Sequence, residues 1–193
     1  MEPVFAKAAV LLAAIAMVAI RAPHGRRSTA VKVAESRKGR REVVLLTAAW
    51  ISFFVPILWV FTPLLASADY PLHPVPWAAG VALLALGLWV FHRSHADLGV
   101  QWSITLQVRE GHRLVTEGVY RRVRHPMYLA LLLYAAGQAL ALPNWIAGPS
   151  YAAAMLLIFA LRLGPEEAMM RETFGAEWDA YAARTKRLVP GVW

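Results

Sequence analysis

Five apolar runs, separated by segments of very unequal charge, constrain this chain more than any other feature. They are Val4–Ile20, Val43–Ala66, Val75–Phe91, Met127–Leu142 and Trp145–Leu161. A helix rises 1.5 Å per residue and the hydrocarbon core of a bilayer takes about 20 residues, so these runs have the scale of membrane spans. Four of them, at 17, 17, 16 and 17 residues, need flanking residues or a locally thinned, protein-lined region to cross. Pro143–Asn144 between the last two is a turn signal, so those two read as an antiparallel hairpin whose arms need not cross completely. Composition supports this reading: 59% of residues are hydrophobic and 17% charged, which excludes a disordered chain, a basic nucleic-acid tail and an ordinary soluble enzyme. The chain has no cysteine, so disulfides, thiolate nucleophiles and thiolate metal ligands are excluded.

The charge map orients the spans. Arg21–Glu42 carries eight Lys or Arg, His92–Pro126 six and the tail from Arg162 five, whereas Leu65–Pro76 and Pro143–Asn144 carry none. With five crossings, 19 of the 20 basic residues lie on one side, Lys7 being the exception. The positive-inside rule then places the N-terminus outside and the C-terminus in the cytoplasm. Arg21, Arg26, Arg27, Lys32, Arg37, Lys38, Arg40 and Arg41 read as solvated loop residues facing anionic lipid, without assigned chemistry. The first run has no clear small-x-small cleavage site before Arg21 and is read as a permanent span. Pro56 and Pro63 are expected to kink the second run or end it early, and Gly80 and Gly87 to let the third approach a neighbour closely.

Polar chemistry collects at the basic side. His92–Pro126 is a long mixed segment, with a strand-like alternation over Gln101–Val108 and turns at Glu110–Gly111 and Glu117–Gly118. After the fifth run come Arg162, Glu166 and Glu167, then a stripe of Met170, Phe174, Trp178 and Tyr181 over Met169–Arg184 that reads as an interfacial amphipathic helix. The hairpin brings His125 and Arg162 together at its cytoplasmic end, so one pocket is assembled from the segment before the fourth helix and the segment after the fifth. Arg162 and Glu166 share a helical face if the helix survives Pro165. At a membrane boundary such groups either snorkel or serve a polar ligand. Arg121, Arg122 and Arg124 read first as a topology patch. His92 and His95 are three apart but lack companion ligands, and no metal site is expected. There is no Gly-rich nucleotide fingerprint and no serine elbow.

The stretch Gly118-Val-Tyr120-Arg-Arg-Val-Arg124-His125-Pro126-Met-Tyr128 resembles the Gly-x-Tyr…Arg-His-Pro-x-Tyr signature of the isoprenylcysteine carboxyl methyltransferase family, which is grouped with phospholipid N-methyltransferases. The likeness continues upstream through Leu98-Gly99…Trp102 and Leu114-Val-Thr116-Glu-Gly118. Downstream it takes in Arg162…Glu166-Glu167, Phe174-Gly175-x-Glu177-Trp178-x-x-Tyr181 and a closing Arg187-Leu-Val-Pro190. It covers about half the chain; each motif is weak alone, and the ordered set is strong. Trp178 stands where the family often has Tyr, and Gly164-Pro165 between Arg162 and the two glutamates is where a helix break would shift them.

The resemblance implies an all-α, polytopic membrane helix bundle of about five transmembrane helices, a cytoplasmic cofactor pocket and a C-terminal interfacial helix. Residues 1–193 then form a single domain, with N-terminal helices over 1–91 and the signature-bearing catalytic half over 92–193. It implies S-adenosylmethionine as cofactor and a lipophilic acceptor arriving from the bilayer, with membrane lipid and no nucleic acid as partner. By likeness Tyr120, His125, Pro126, Tyr128, Arg162, Glu166, Trp178 and Tyr181 form the cofactor site, and Arg162, Glu166 and Glu167 carry catalysis, Glu167 orienting Arg162 or the acceptor. The implied reaction is in-line methyl transfer to the carboxylate of an isoprenylcysteine-like acceptor. The alternatives are N-methylation of an ethanolamine-type headgroup, in which Glu167 or His125 acts as base, and a non-catalytic scaffold or transporter.

Overall fold

A computed structural model describes residues 2–29, 33–36, 39–99, 107–109, 113–189 and 191. In chain order the elements are α1 (Pro3–Thr29), β1 (Val33–Ser36), α2 (Arg40–Phe61), α3 (Pro74–Leu98), β2 (Gln107–Arg109), α4 (Pro126–Ala141), α5 (Ala147–Phe174) and α6 (Ala176–Arg184), with 3-10 turns at Ala66–Ala68 and Gly118–Arg121. Among the described residues, four helices are long and apolar enough to cross a membrane: α1, α2, α3 and α5. The chain is a multi-pass integral membrane protein built as a helix bundle. α4, the fourth of the five expected spans, has 16 residues, about 24 Å of helix, shorter than the other four, as the hairpin reading allowed. The strand-like reading of Gln101–Val108 falls mostly outside the described residues; its end lies in β2, which pairs antiparallel with β1.

Local chemistry sets the helix limits. Thr62 closes α2 by donating its hydroxyl to the Leu58 carbonyl, and Pro63 follows, so the second run ends before its apolar composition does. Pro56 lies inside α2 and is buried there. Both α3 and α4 begin on prolines, Pro74 and Pro126, where a missing N–H is no loss. α5 continues through Pro165 and stops only at Gly175, whose φ of 52° favours glycine. The expected continuous amphipathic helix over Met169–Arg184 is therefore two helices, with α6 starting afresh after Gly175.

The helices run between two common ends. At one end Asn144, fully buried, donates to the Leu65 carbonyl and to Asp69 Oδ1, both at 2.7 Å, while its Oδ1 accepts the N–H groups of Ile146 and Ala147 and so caps α5. The Tyr70 N–H bonds the Pro143 carbonyl, and the Trp145 N–H that of Ala68. The α2–α3 and α4–α5 connections, which carry no Lys or Arg, are thereby joined, and the short α4 reaches the same level as the longer helices. The interlock of α3 with α4 depends on the absence of side chains. A Cβ at Gly80 would lie 2.5 Å from the Ala141 nitrogen, one at Gly137 2.6 Å from the Leu84 nitrogen and one at Gly87 2.8 Å from the Tyr134 nitrogen. Larger residues would force these backbones apart. The main core, with Phe91, Ala130, Tyr134, Tyr151 and Met155, lies across this contact and onto α5.

Candidate functional site

The basic end holds a cavity of about 240 Å³. Its polar wall comes from the segment before α4, the C-terminal half of α5 and α6; its apolar wall comes from α1, α2 and the middle of α5. The bundle brings Tyr120, His125, Pro126, Tyr128, Arg162, Glu166, Trp178 and Tyr181 to this one lining. Glu167, one residue on, turns away from it.

Gly118, at φ 59°, opens the polar wall. A Cβ there would run into the Asp97 carboxylate, and Asp97 Oδ2 accepts the Val119 N–H at 2.9 Å. The turn that follows buries Tyr120, whose backbone carbonyl accepts the Tyr181 hydroxyl at 2.7 Å. Burial pushes both phenols well above their ordinary range, so their hydroxyls stay protonated. The tail after α6 runs alongside: the Arg124 N–H donates to the Lys186 carbonyl at 2.7 Å and the His125 N–H to the Arg187 carbonyl at 3.0 Å.

Two adjacent carboxylates on α5 divide the work. Glu166 accepts the Tyr128 hydroxyl at 2.6 Å, and one of its oxygens lies 3.7 Å from His125 Nδ1. Glu167 is enclosed by cations, with Arg124 Nε at 3.0 Å, Arg187 Nη2 at 2.8 Å and His125 Nε2 at 3.2 Å. Glu167 thus ties the turn before α4, the C-terminal half of α5 and the C-terminal tail into one knot. Burial alone would lower the His125 pKa, but hydrogen bonds and charge from Glu166 and Glu167 outweigh it, and the imidazole is held above its ordinary value.

That shift has a defined sign. A histidine whose folded pKa is raised stabilises the fold fully below its unfolded pKa of about 6.5, and the contribution is lost as pH rises through the folded value. The apparent Tm of the wild type is expected to fall as pH rises above about 6.5, with the slope reduced in His125→Gln. Thermal unfolding in detergent across that range, with equal slopes in both proteins as the contrary result, checks it.

Arg162 makes an ion pair with α2. Its Nη2 lies 3.2 Å from Glu42 Oε1, a buried carboxylate in the first turn of α2. The helix survives Pro165, so Arg162 and Glu166 still share a face and line the same cavity. Sequence reasoning passed over Glu42 because it sits in a basic run. It also placed Arg124 in a topology patch, although Arg124 is buried and its guanidinium also donates to the carbonyls of Ala182 and Thr185. Arg21, assigned to the solvated loop, lines the cavity as well.

Comparison with known proteins gives the same frame. The phospholipid methyltransferase family matches residues 75–177. Protein-S-isoprenylcysteine O-methyltransferase A of Arabidopsis thaliana is 35% identical over 120 residues, covering 60% of this chain and 61% of that protein. Protein-S-isoprenylcysteine O-methyltransferase of Homo sapiens is 37% identical over 79 residues, covering 41% and 28% respectively. The solved structure of a eukaryotic intramembrane Ras methyltransferase, an isoprenylcysteine carboxyl methyltransferase, superposes with a TM-score of 0.54 at 24% identity, over 81% of this chain and 54% of that one. The chain spans about half the length of the curated relatives it matches.

Proposed function

The chain belongs to the phospholipid methyltransferase family, and from that membership we propose that it moves a methyl group from S-adenosylmethionine to the carboxylate of a lipophilic, isoprenylcysteine-like acceptor. The observation that carries this reading is a single cavity in which Arg162 and Glu166, one helical turn apart, adjoin an apolar gallery lined by Met17, Leu46, Trp50, Phe53 and Met155. An amino-acid end of a donor needs an anion for its ammonium and a cation for its carboxylate, which Glu166 and Arg162 supply. The rings of Tyr120, Trp178 and Tyr181 form a wall suited to a sulfonium, an attraction of about 0.5 to 2 kcal/mol. These residues fit the donor.

When bound, S-adenosylmethionine supplies an electrophilic methyl group, which an ionised carboxylate accepts with no proton to be moved. His125 and Tyr128 fix the Glu166 carboxylate through the contacts at 3.7 and 2.6 Å. Arg162 is steadied by Glu42, so both binding groups are preorganised, and the enclosing aromatic wall excludes water. The knot around Glu167 positions His125 from behind, and Glu167 acts through that ring. An amine acceptor would require a base. His125 is engaged by Glu166 and Glu167, and Glu167 by Arg124 and Arg187 outside the cavity lining. This favours a carboxylate acceptor over an ethanolamine headgroup.

Residues 1–193 act as one unit, with the N-terminal helices supplying Glu42 and the apolar wall to the catalytic half 92–193. The basic end, with the cavity and α6 at its interface, faces the cytoplasm and the N-terminus lies outside, in keeping with 19 of 20 basic residues at that end. The acceptor enters from the bilayer.

Transfer of labelled methyl from the donor to N-acetyl-S-farnesylcysteine tests the reading. The expected product releases labelled methanol in mild base, as a methyl ester must. Base-stable label on phosphatidylethanolamine, with none on the farnesyl acid, would move the assignment to the amine reaction.

A further inference from the structure

Arg21 belongs to the apolar span Pro3–Arg26, one turn past Met17 on α1, and both residues line the cavity. A guanidinium in a membrane span is costly and usually reaches outward to the headgroups. Arg21 instead is partly buried and lies within electrostatic reach of Tyr151 and Arg162, both on the cavity face of α5. Its place is therefore the boundary between the polar wall and the apolar gallery of Leu46, Trp50, Phe53 and Met155. Two like charges are brought near one another here. Arg21 also lies outside the residues 75–177 matched by the family, so nothing in that match gives it a role.

We propose that Arg21 is a substrate-binding residue that holds the acceptor's carboxylate, leaving Arg162 to the donor, while the acceptor's hydrocarbon chain lies in the gallery beyond it. This rests on the carboxyl-methyltransferase reading of the site and names its selectivity device. The forked guanidinium of Arg21 matches a carboxylate and repels a protonated amine, so the first transmembrane helix selects the acceptor class. After methylation the product ester is neutral, and loss of the charge pairing with Arg21 favours its release to the bilayer.

The test is binding, measured separately from turnover. Labelled N-acetyl-S-farnesylcysteine and its primary amide are titrated onto detergent-purified wild type, Arg21→Gln and Arg21→Lys in the presence of S-adenosylhomocysteine. Wild type is expected to bind the acid at least tenfold more tightly than the amide. Arg21→Gln should lose most of that preference while its affinity for S-adenosylhomocysteine stays within twofold. Arg21→Lys, which keeps the charge without the fork, should bind the acid at least threefold more weakly than wild type, and this arm serves if Arg21→Gln does not fold. Equal binding of acid and amide by wild type, or an unchanged preference in Arg21→Gln, overturns the assignment, as does unchanged acid affinity in Arg21→Lys. Failure of wild type to bind S-adenosylhomocysteine at all would instead overturn the methyltransferase reading, which separates the two.

Discussion

Glu167→Ala is expected to destabilise the fold by about 3–5 kcal/mol, more than any other single change at the basic end. Its carboxylate is met by Arg124, whose side chain is 10% exposed, and by His125, 4% exposed. Removing it takes the anion from the Arg124 guanidinium in a poorly hydrated site and one of the two carboxylates that face His125. Arg187 is 38% exposed, so its bond is screened by water and contributes little to that figure. The loss also releases the tail, because Arg124 is held by Glu167 while it binds the carbonyls of Ala182 and Thr185 at the end of α6. For a chain of this size the apparent Tm should drop by on the order of 10 °C, read by thermal unfolding in detergent. Glu167→Gln keeps the shape and one acceptor and should fall between. An unchanged Tm in Glu167→Ala would show that the knot is not what holds the tail.

The second large effect is on donor binding. Glu166→Ala and Arg162→Ala should each weaken S-adenosylhomocysteine binding by about 30-fold or more, the equivalent of at least 2 kcal/mol for a desolvated charge contact. The two variants differ in their side effects. Glu166→Ala leaves His125 its contact with Glu167 but takes the acceptor from the Tyr128 hydroxyl, whereas Arg162→Ala leaves the buried Glu42 charge without the Arg162 guanidinium. The double variant Glu42→Gln/Arg162→Ala removes that charge. It should recover stability without recovering affinity, which distinguishes a ligand-binding role for Arg162 from a purely structural one. Recovery of both would assign Arg162 to the scaffold.

Much of this architecture was legible in the sequence for specific physical reasons. Apolar runs and basic loops gave the bundle and its two ends, since both follow from the cost of placing charge and unpaired backbone in hydrocarbon. The ordered motif from Gly118 to Tyr181 located the polar wall, and its parts prove to be mutually dependent: Gly118 clears Asp97, and Tyr181 bonds the Tyr120 carbonyl. The close approach expected at Gly80 and Gly87 is present, completed by Gly137 across from them. The length of α4 was legible as well: its apolar run has 16 residues up to the Pro143–Asn144 turn, and the helix has 16, stopped by a Leu142–Asn144 turn bonded to a distant loop. Gly164-Pro165 looked like a break, yet α5 passes through it. The roles of Glu42, Arg21 and Arg124 were hidden among loop charges, because a buried arginine differs from a solvated one by what lies across from it in space. Nothing in the neighbouring residues reports that.

Calorimetric titration of S-adenosylmethionine onto detergent-purified wild type and Glu166→Ala tests the account at its centre. Saturable binding at one site per chain in the wild type, weakened about 30-fold or more in the variant, is the predicted result. Equal binding by the two folded proteins, or none by the wild type in either detergent or lipid, would contradict it.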